Sequence, residues 1–109
     1  MILNLIMYER GTSMYARTST WTGSEDALEK WVAHVNERVA PTVAGLPGNA
    51  GAYFFVDREG GGALTLTLWE SEEAALTSDQ AADNSRASTV AATGVELLAR
   101  GRFEVVGHL

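Results

Sequence analysis

Strict two-residue alternation over Ala63–Trp69 sets Leu64, Leu66 and Leu68 on one strand face and Thr65, Thr67 and Trp69 on the other. This strand runs into Ser71-Glu72-Glu73, a capping serine followed by carboxylates suited to the first turn of a helix. An earlier run, Tyr15–Trp21, is rich in Thr, Tyr and Trp and stops at Thr22-Gly23, which predicts a first strand. Ser24 then caps a helix whose apolar positions Leu28, Trp31, Val32, Val35, Val39 and Val43 recur at helical spacing. Pro41 removes a backbone donor and is expected to kink or split that helix near Glu37, and Gly45-Leu46-Pro47-Gly48 ends it. Gly51–Asp57 and the Ala63–Trp69 strand, joined by Arg58-Glu59-Gly60-Gly61-Gly62, predict a hairpin. Helical character after Ser71 continues, across a break near Ser78, to Thr93-Gly94, and Val95–Val106 reads as a last strand with a bend or bulge at Gly101.

The predicted order is β-α-β-β-α-β: an α+β, ferredoxin-like unit with an antiparallel four-stranded sheet and both helices on one face. If Thr65, Thr67 and Trp69 face the helices, the leucine row is left on the open face. A contiguous apolar stripe there is best covered by a second sheet, giving an isologous homodimer. Met14 directly precedes the first strand, so residues 14–109 form the expected domain and residues 1–13 an N-terminal extension. An upstream start, an expression remnant and an added edge strand all fit that extension, and its removal is expected to leave the fold intact.

With 109 residues and 20% charged side chains, the chain suits one globular domain. A formal charge of −6 with scattered Lys and Arg argues against nucleic acid as a partner. The opening ILNLIMY falls far short of the ~20 apolar residues of a membrane span and lacks the features of an export signal, so neither is expected. Absence of cysteine excludes thiolate chemistry and suits the cytoplasm. With two histidines and no HExxH spacing, no metal site is expected. Glu70, Glu72 and Glu73 are explained by the helix N-terminus, and the glycine triplet 60–62 leads into a strand, so it is a hairpin and not a phosphate cradle. No GxSxG nucleophile elbow is present.

The joint between strand and helix at Trp69 is the expected pocket. Its facing helix is dominated by alanines, with Leu76 and Val90 its only large aliphatics. Such a wall means either close helix-to-sheet approach, with Trp69 a core plug, or a cavity for a ligand; only the second leaves void volume. Thr65 and Thr67 are the expected polar lining. Asn84 and Arg86 lie on the same helix, either solvated or, for Arg86, turned inward to bind a phenolate or enolate oxygen. His34 and His108 read as boundary or surface residues.

The segments YARTSTWTGSEDALEKW, AGLPGNAGAYFFVDREGGGALTLTLWESEEAA and AATGVELLARGRFEVV together resemble the dimeric α/β-barrel proteins of the antibiotic biosynthesis monooxygenase type, over roughly Met14–Val106. The resemblance implies a dimeric α/β barrel and, in one branch, cofactor-free oxidation of anthrones and quinols. Trp69 matches the tryptophan that lines the family cleft, and Arg86 is the counterpart of an arginine used on the second helix. Where that branch has an asparagine and a tyrosine, this chain has Thr65 and Ala75. The haem-degrading branch has a first-strand asparagine, where this chain offers Ala16, Thr18 and Thr20, and a second-helix histidine, which this chain lacks; haem degradation is disfavoured. The resulting expectation is a homodimeric monooxygenase without cofactor or metal, acting on a small aromatic or quinol. Trp69 and Arg86 would be its catalytic residues, with Thr65, Thr67, Asn84 and Ala75 contacting substrate. A non-catalytic ligand-binding or structural dimer of the same fold is the alternative.

Overall fold

A computed structural model of the chain describes residues 13–109, so the expected extension lies, but for Ser13, outside the described residues. Strand β1 (Tyr15–Thr22) is followed by helix α1 (Glu25–His34), whose Ser24 cap accepts a hydrogen bond from the Ala27 amide at 3.1 Å. Next comes a π-helical stretch (Val35–Val39) that runs directly into α2 (Ala40–Ala44). The expected kink at Pro41 therefore takes the form of a widened turn. Proline offers no N–H to the Glu37 carbonyl, and the ladder shifts by one residue, the Ala40 amide bonding the Val35 carbonyl. Because the helix widens without breaking, Val35, Val39 and Val43 all stay on the buried side.

The hairpin joins β2 (Asn49–Asp57) to β3 (Gly62–Trp69), with the Gly60 amide on the Asp57 carboxylate at 2.9 Å and Gly61 at φ +73°. Helix α3 (Glu72–Thr77), capped by Ser71, is separated from α4 (Asp79–Thr93) by Ser78, and Gly94 ends α4 in the left-handed region. Strand β4 (Glu96–Glu104) completes a sheet of order β2-β3-β1-β4, antiparallel throughout. The irregularity expected at Gly101 lies elsewhere. The register between β1 and β4 slips at Thr20/Trp21, opposite Leu97 and Ala99, which leaves Leu98 as the extra residue. Gly101 instead makes room for the Phe103 ring, since a Cβ there would lie 2.6 Å from it.

The fold is thus α+β and ferredoxin-like, with the helices on one sheet face. There, Trp21, Ala63 and Val95 pack with Leu28, Trp31, Val35, Val39 and Val43 into the main core. On the opposite face the half-buried Leu64, Leu66 and Leu68 run beside Tyr53, Phe55 and Phe103, which are 60%, 47% and 57% exposed. No helix among the described residues is long and apolar enough to cross a membrane.

One glycine closes the first half of the unit onto the second. Gly48 has φ +77°, accepts the Glu70 amide at 2.8 Å, and a Cβ on it would meet the Ala74 Cβ at 2.5 Å. Gly48→Ala is therefore expected to cost roughly 2–3 kcal/mol, adding overlap to the left-handed penalty of a side chain. Chemical denaturation measures this, and a change under half a kcal/mol would contradict it.

Candidate functional site

The space between sheet and helices is not filled. A cavity of about 50 Å³ is floored by β1 (Arg17, Ser19, Trp21) and β3 (Thr65, Thr67, Trp69). Its walls come from Trp31, Val35, Val39 and Val43 on one side and from Ser78, Ala82, Ser85, Arg86 and Thr89 on the other. The helical wall recedes because α3 and α4 turn their large aliphatics away: Leu76 and Val90 are 47% and 40% exposed. What faces the cavity from these helices is alanine, serine and threonine, together with Arg86. Thr89 and Thr93 are buried by returning their hydroxyls to the Ser85 and Thr89 carbonyls at 2.8 and 2.7 Å.

Strand pairing determines which side chains meet on the floor. Arg17 stands opposite Thr67, Ser19 opposite Thr65, and Trp21 opposite Ala63. The Trp21 indole N–H donates to Thr65 Oγ1 at 3.2 Å and the Trp69 indole N–H to Thr67 Oγ1 at 3.0 Å. Each threonine hydroxyl, having accepted an indole, keeps its own proton to donate. Trp31 is 1% exposed, and its Nε1 finds no hydrogen-bond partner among the described residues. Trp31 also lines the cavity, and an unpaired donor on a lining side chain suits a ligand with an acceptor oxygen.

Arg17 is the residue that sequence reasoning missed. Only 8% exposed, it donates from Nη1 to Ser78 Oγ at 2.7 Å and from Nη2 to the Ala75 carbonyl at 2.6 Å. It also pairs with Asp79, and its guanidinium carbon lies 5.5 Å from the centre of the Trp69 ring. Burial lowers its pKa, the bond and charge of Asp79 oppose this, and the positive charges of Arg86 and Arg102 lower it further. Arginine remains a cation at neutral pH regardless. The sequence carried one available signal: at an inward position of β1, alternation required a buried residue, and an arginine stood there.

The expected site residues fall into three groups. Thr65, Thr67, Trp69 and Arg86 all line the cavity, and the Arg86 side chain is 13% exposed and bonded to Asp83 at 2.6 Å. Asn84 lies outside it, exposed and accepting from Gln80 at 3.1 Å, on a groove of about 590 Å³ between the helices with His34, Arg38 and Ser88. That groove shares Val39, Thr42, Ala81 and Ser85 with the cavity and so adjoins it. Ala75 is fully buried behind the cavity wall and contributes its carbonyl to Arg17.

A model of the family described as "Antibiotic biosynthesis monooxygenase" matches residues 14–89. Two uncharacterised proteins of Mycobacterium tuberculosis H37Rv, Rv2557 and Rv2558, are each 32% identical to this chain. The first match covers 66 residues, 61% of this chain and 30% of the relative, and the second 65 residues, 60% and 28%. The aligned part is thus under a third of those relatives' length. Among solved structures, SnoaB, a cofactor-independent oxygenase from Streptomyces nogalater, has a TM-score of 0.65 at 18% identity, covering 89% of this chain and 97% of its own. The ActVA-Orf6 monooxygenase of Streptomyces coelicolor, solved with nanaomycin D, has a TM-score of 0.66 at 16% identity, covering 90% and 91%. At these identities the likeness establishes the fold.

Proposed function

This chain belongs to the antibiotic biosynthesis monooxygenase family, and from that premise we propose that it is a cofactor-independent oxygenase acting on a small electron-rich aromatic such as an anthrone or quinol. The observation that carries the reading is the buried Arg17 guanidinium stacked beside Trp69, with Arg86 lining the same cavity. A cation near a phenol or enol lowers the substrate's pKa, so the substrate ionises without a dedicated base and the arginines hold its oxyanion. The ionised ring carbon passes an electron to dioxygen and recombines with the reduced oxygen to form a hydroperoxide. Loss of water then leaves a carbonyl, so an anthrone methylene, or a quinol ring C–H through its keto tautomer, reacts with one O₂ to give one C=O and one H₂O. Trp69 orients the ring, and Thr65 and Thr67 donate to its oxygens.

The cavity has room for about three to five waters and less than a ring needs. The substrate therefore enters through the groove, with most of its bulk between the helices near Asn84, and the small side chains of α4 move aside to admit its reacting edge. The functional unit is a cytoplasmic homodimer whose leucine faces meet. An oxygen electrode with a panel of anthrones and hydroquinones tests this. Uptake of one O₂ per substrate is expected, with kcat reduced about 10²-fold by Arg86→Gln and also lowered by Trp69→Phe. No uptake with any member, despite ligand binding, would replace it with the second reading, a binding dimer without chemistry. That reading is favoured by the narrowness of the cavity and by Thr65 and Ala75 standing where oxidising relatives are expected to have asparagine and tyrosine.

A further inference from the structure

Half of the chain's eight basic residues converge on one cleft, although the chain as a whole carries a charge of −6. This cleft, about 380 Å³ between α4 and β4, is lined by Arg17, Arg86, Arg100 and Arg102 with Asp79 and Asp83. Arg100 and Arg102 are two apart on β4 and so share the helix-side face, where Arg102 stands directly opposite Arg17 and Arg100 opposite Ser19. Like charges directly opposite across a sheet are destabilising. Asp79 lies between Arg17 and Arg102, the latter 3.2 Å away, and Asp83 between Arg86 at 2.6 Å and Arg100 at 3.4 Å.

Two arginines would neutralise two aspartates. The other two leave a net charge of two positive, on side chains that are 65% exposed at Arg100 and 39% at Arg102. A fold that needed only to anchor α4 would not place a second pair of cations there. Because Arg17 and Arg86 line both this cleft and the apolar cavity, the two compartments share a wall. A ligand whose reacting edge enters the cavity therefore meets the same two guanidiniums that border the cleft, and a substituent on that edge lies beside the cleft.

Resting on the oxygenase reading, we propose that the natural substrate is an aromatic bearing an anionic oxygen substituent, a carboxylate or a sulfonate-like oxyanion, held in this cleft by Arg100 and Arg102. The forked guanidiniums suit bidentate binding of such a group, and their exposure makes the attraction dependent on salt. Calorimetric titration of the whole protein with 2-naphthol, 6-hydroxy-2-naphthoate and 6-hydroxynaphthalene-2-sulfonate tests it.

At least one anionic naphthol is expected to bind about tenfold more tightly than 2-naphthol at low salt, with the preference shrinking at high salt. Tighter carboxylate binding identifies a planar oxyanion and tighter sulfonate binding a tetrahedral one; either supports the inference. The preference should fall toward one in the Arg100→Gln/Arg102→Gln double variant, whose thermal unfolding verifies folding, and persist in Arg38→Gln at the groove. Equal binding of all three probes, no binding up to millimolar concentration, or a preference lost in Arg38→Gln but kept in the double variant would overturn it. Selective binding with no oxygen uptake from any anthrone or quinol leaves the anion site standing and removes the oxygenase reading alone.

Discussion

Replacing Arg17 with alanine is expected to lower stability by about 3 kcal/mol and the melting temperature by roughly 12 °C or more. The substitution removes the bonds to Ser78, to the Ala75 carbonyl and to Asp79 together with the contact over Trp69. Asp79 is half-exposed and regains water, so its share of the loss is small. Most of the cost arises at the α3–α4 break, where the buried Ala75 carbonyl and Ser78 hydroxyl keep only the bonds between their own residues, and in the void left beside Trp69. Arg17→Lys should retain the charge, lose the two-pronged geometry and fall between wild type and alanine. Scanning calorimetry measures the shift, and a melting temperature within about two degrees of wild type for Arg17→Ala would show that the arginine is not what anchors the helix break to the sheet.

Leu66→Asp is expected to separate the proposed dimer while leaving the subunit folded. Leu66 lies in the middle of the open face, between Thr18 and Tyr53 on the neighbouring strands. In a lone subunit it is half-exposed, so a carboxylate there costs little. Between two sheets it would be buried without a partner at about 3 kcal/mol. An isologous interface carries every substitution twice, so the dissociation constant should rise by roughly four powers of ten. Sedimentation velocity distinguishes the states: wild type at dimer mass and the variant at half of it, with unchanged circular dichroism. Wild-type protein at monomer mass in the micromolar range would dispose of the sheet-to-sheet dimer.

Both results depend on how far a linear pattern reports on a three-dimensional site. The capping serines 24 and 71, the breaks near Pro41 and Ser78, and the glycine at 94 were legible because each acts on a single turn of backbone. The break at Pro41 was legible in place but not in form. Whether a helix splits or widens depends on whether Val35, Val39 and Val43 stay packed, which is a tertiary matter. The irregularity expected at Gly101 lies at Leu98, because a glycine marks only permissiveness, whereas the slip is set by the register of two strands that are far apart in sequence.

The site divides along the same line. Alternation on β3 determined that Thr65, Thr67 and Trp69 share a face, because a strand's period is a property of the backbone alone. Composition could not say whether an alanine-rich helix would pack tightly or stand off. Tertiary packing decided that, by turning Leu76 and Val90 outward and leaving Arg86, Ser85 and Ala82 against the cavity. Nor could it bring Arg17 to Ser78 and Asp79, more than sixty residues away, or gather Arg86, Arg100 and Arg102 around two aspartates. Local sequence determined the elements and their faces, since these depend on neighbours along the chain. The charged cleft was decided by the fold alone, since its charges come from β1, α4 and β4 and meet only when strand pairing and helix packing are complete.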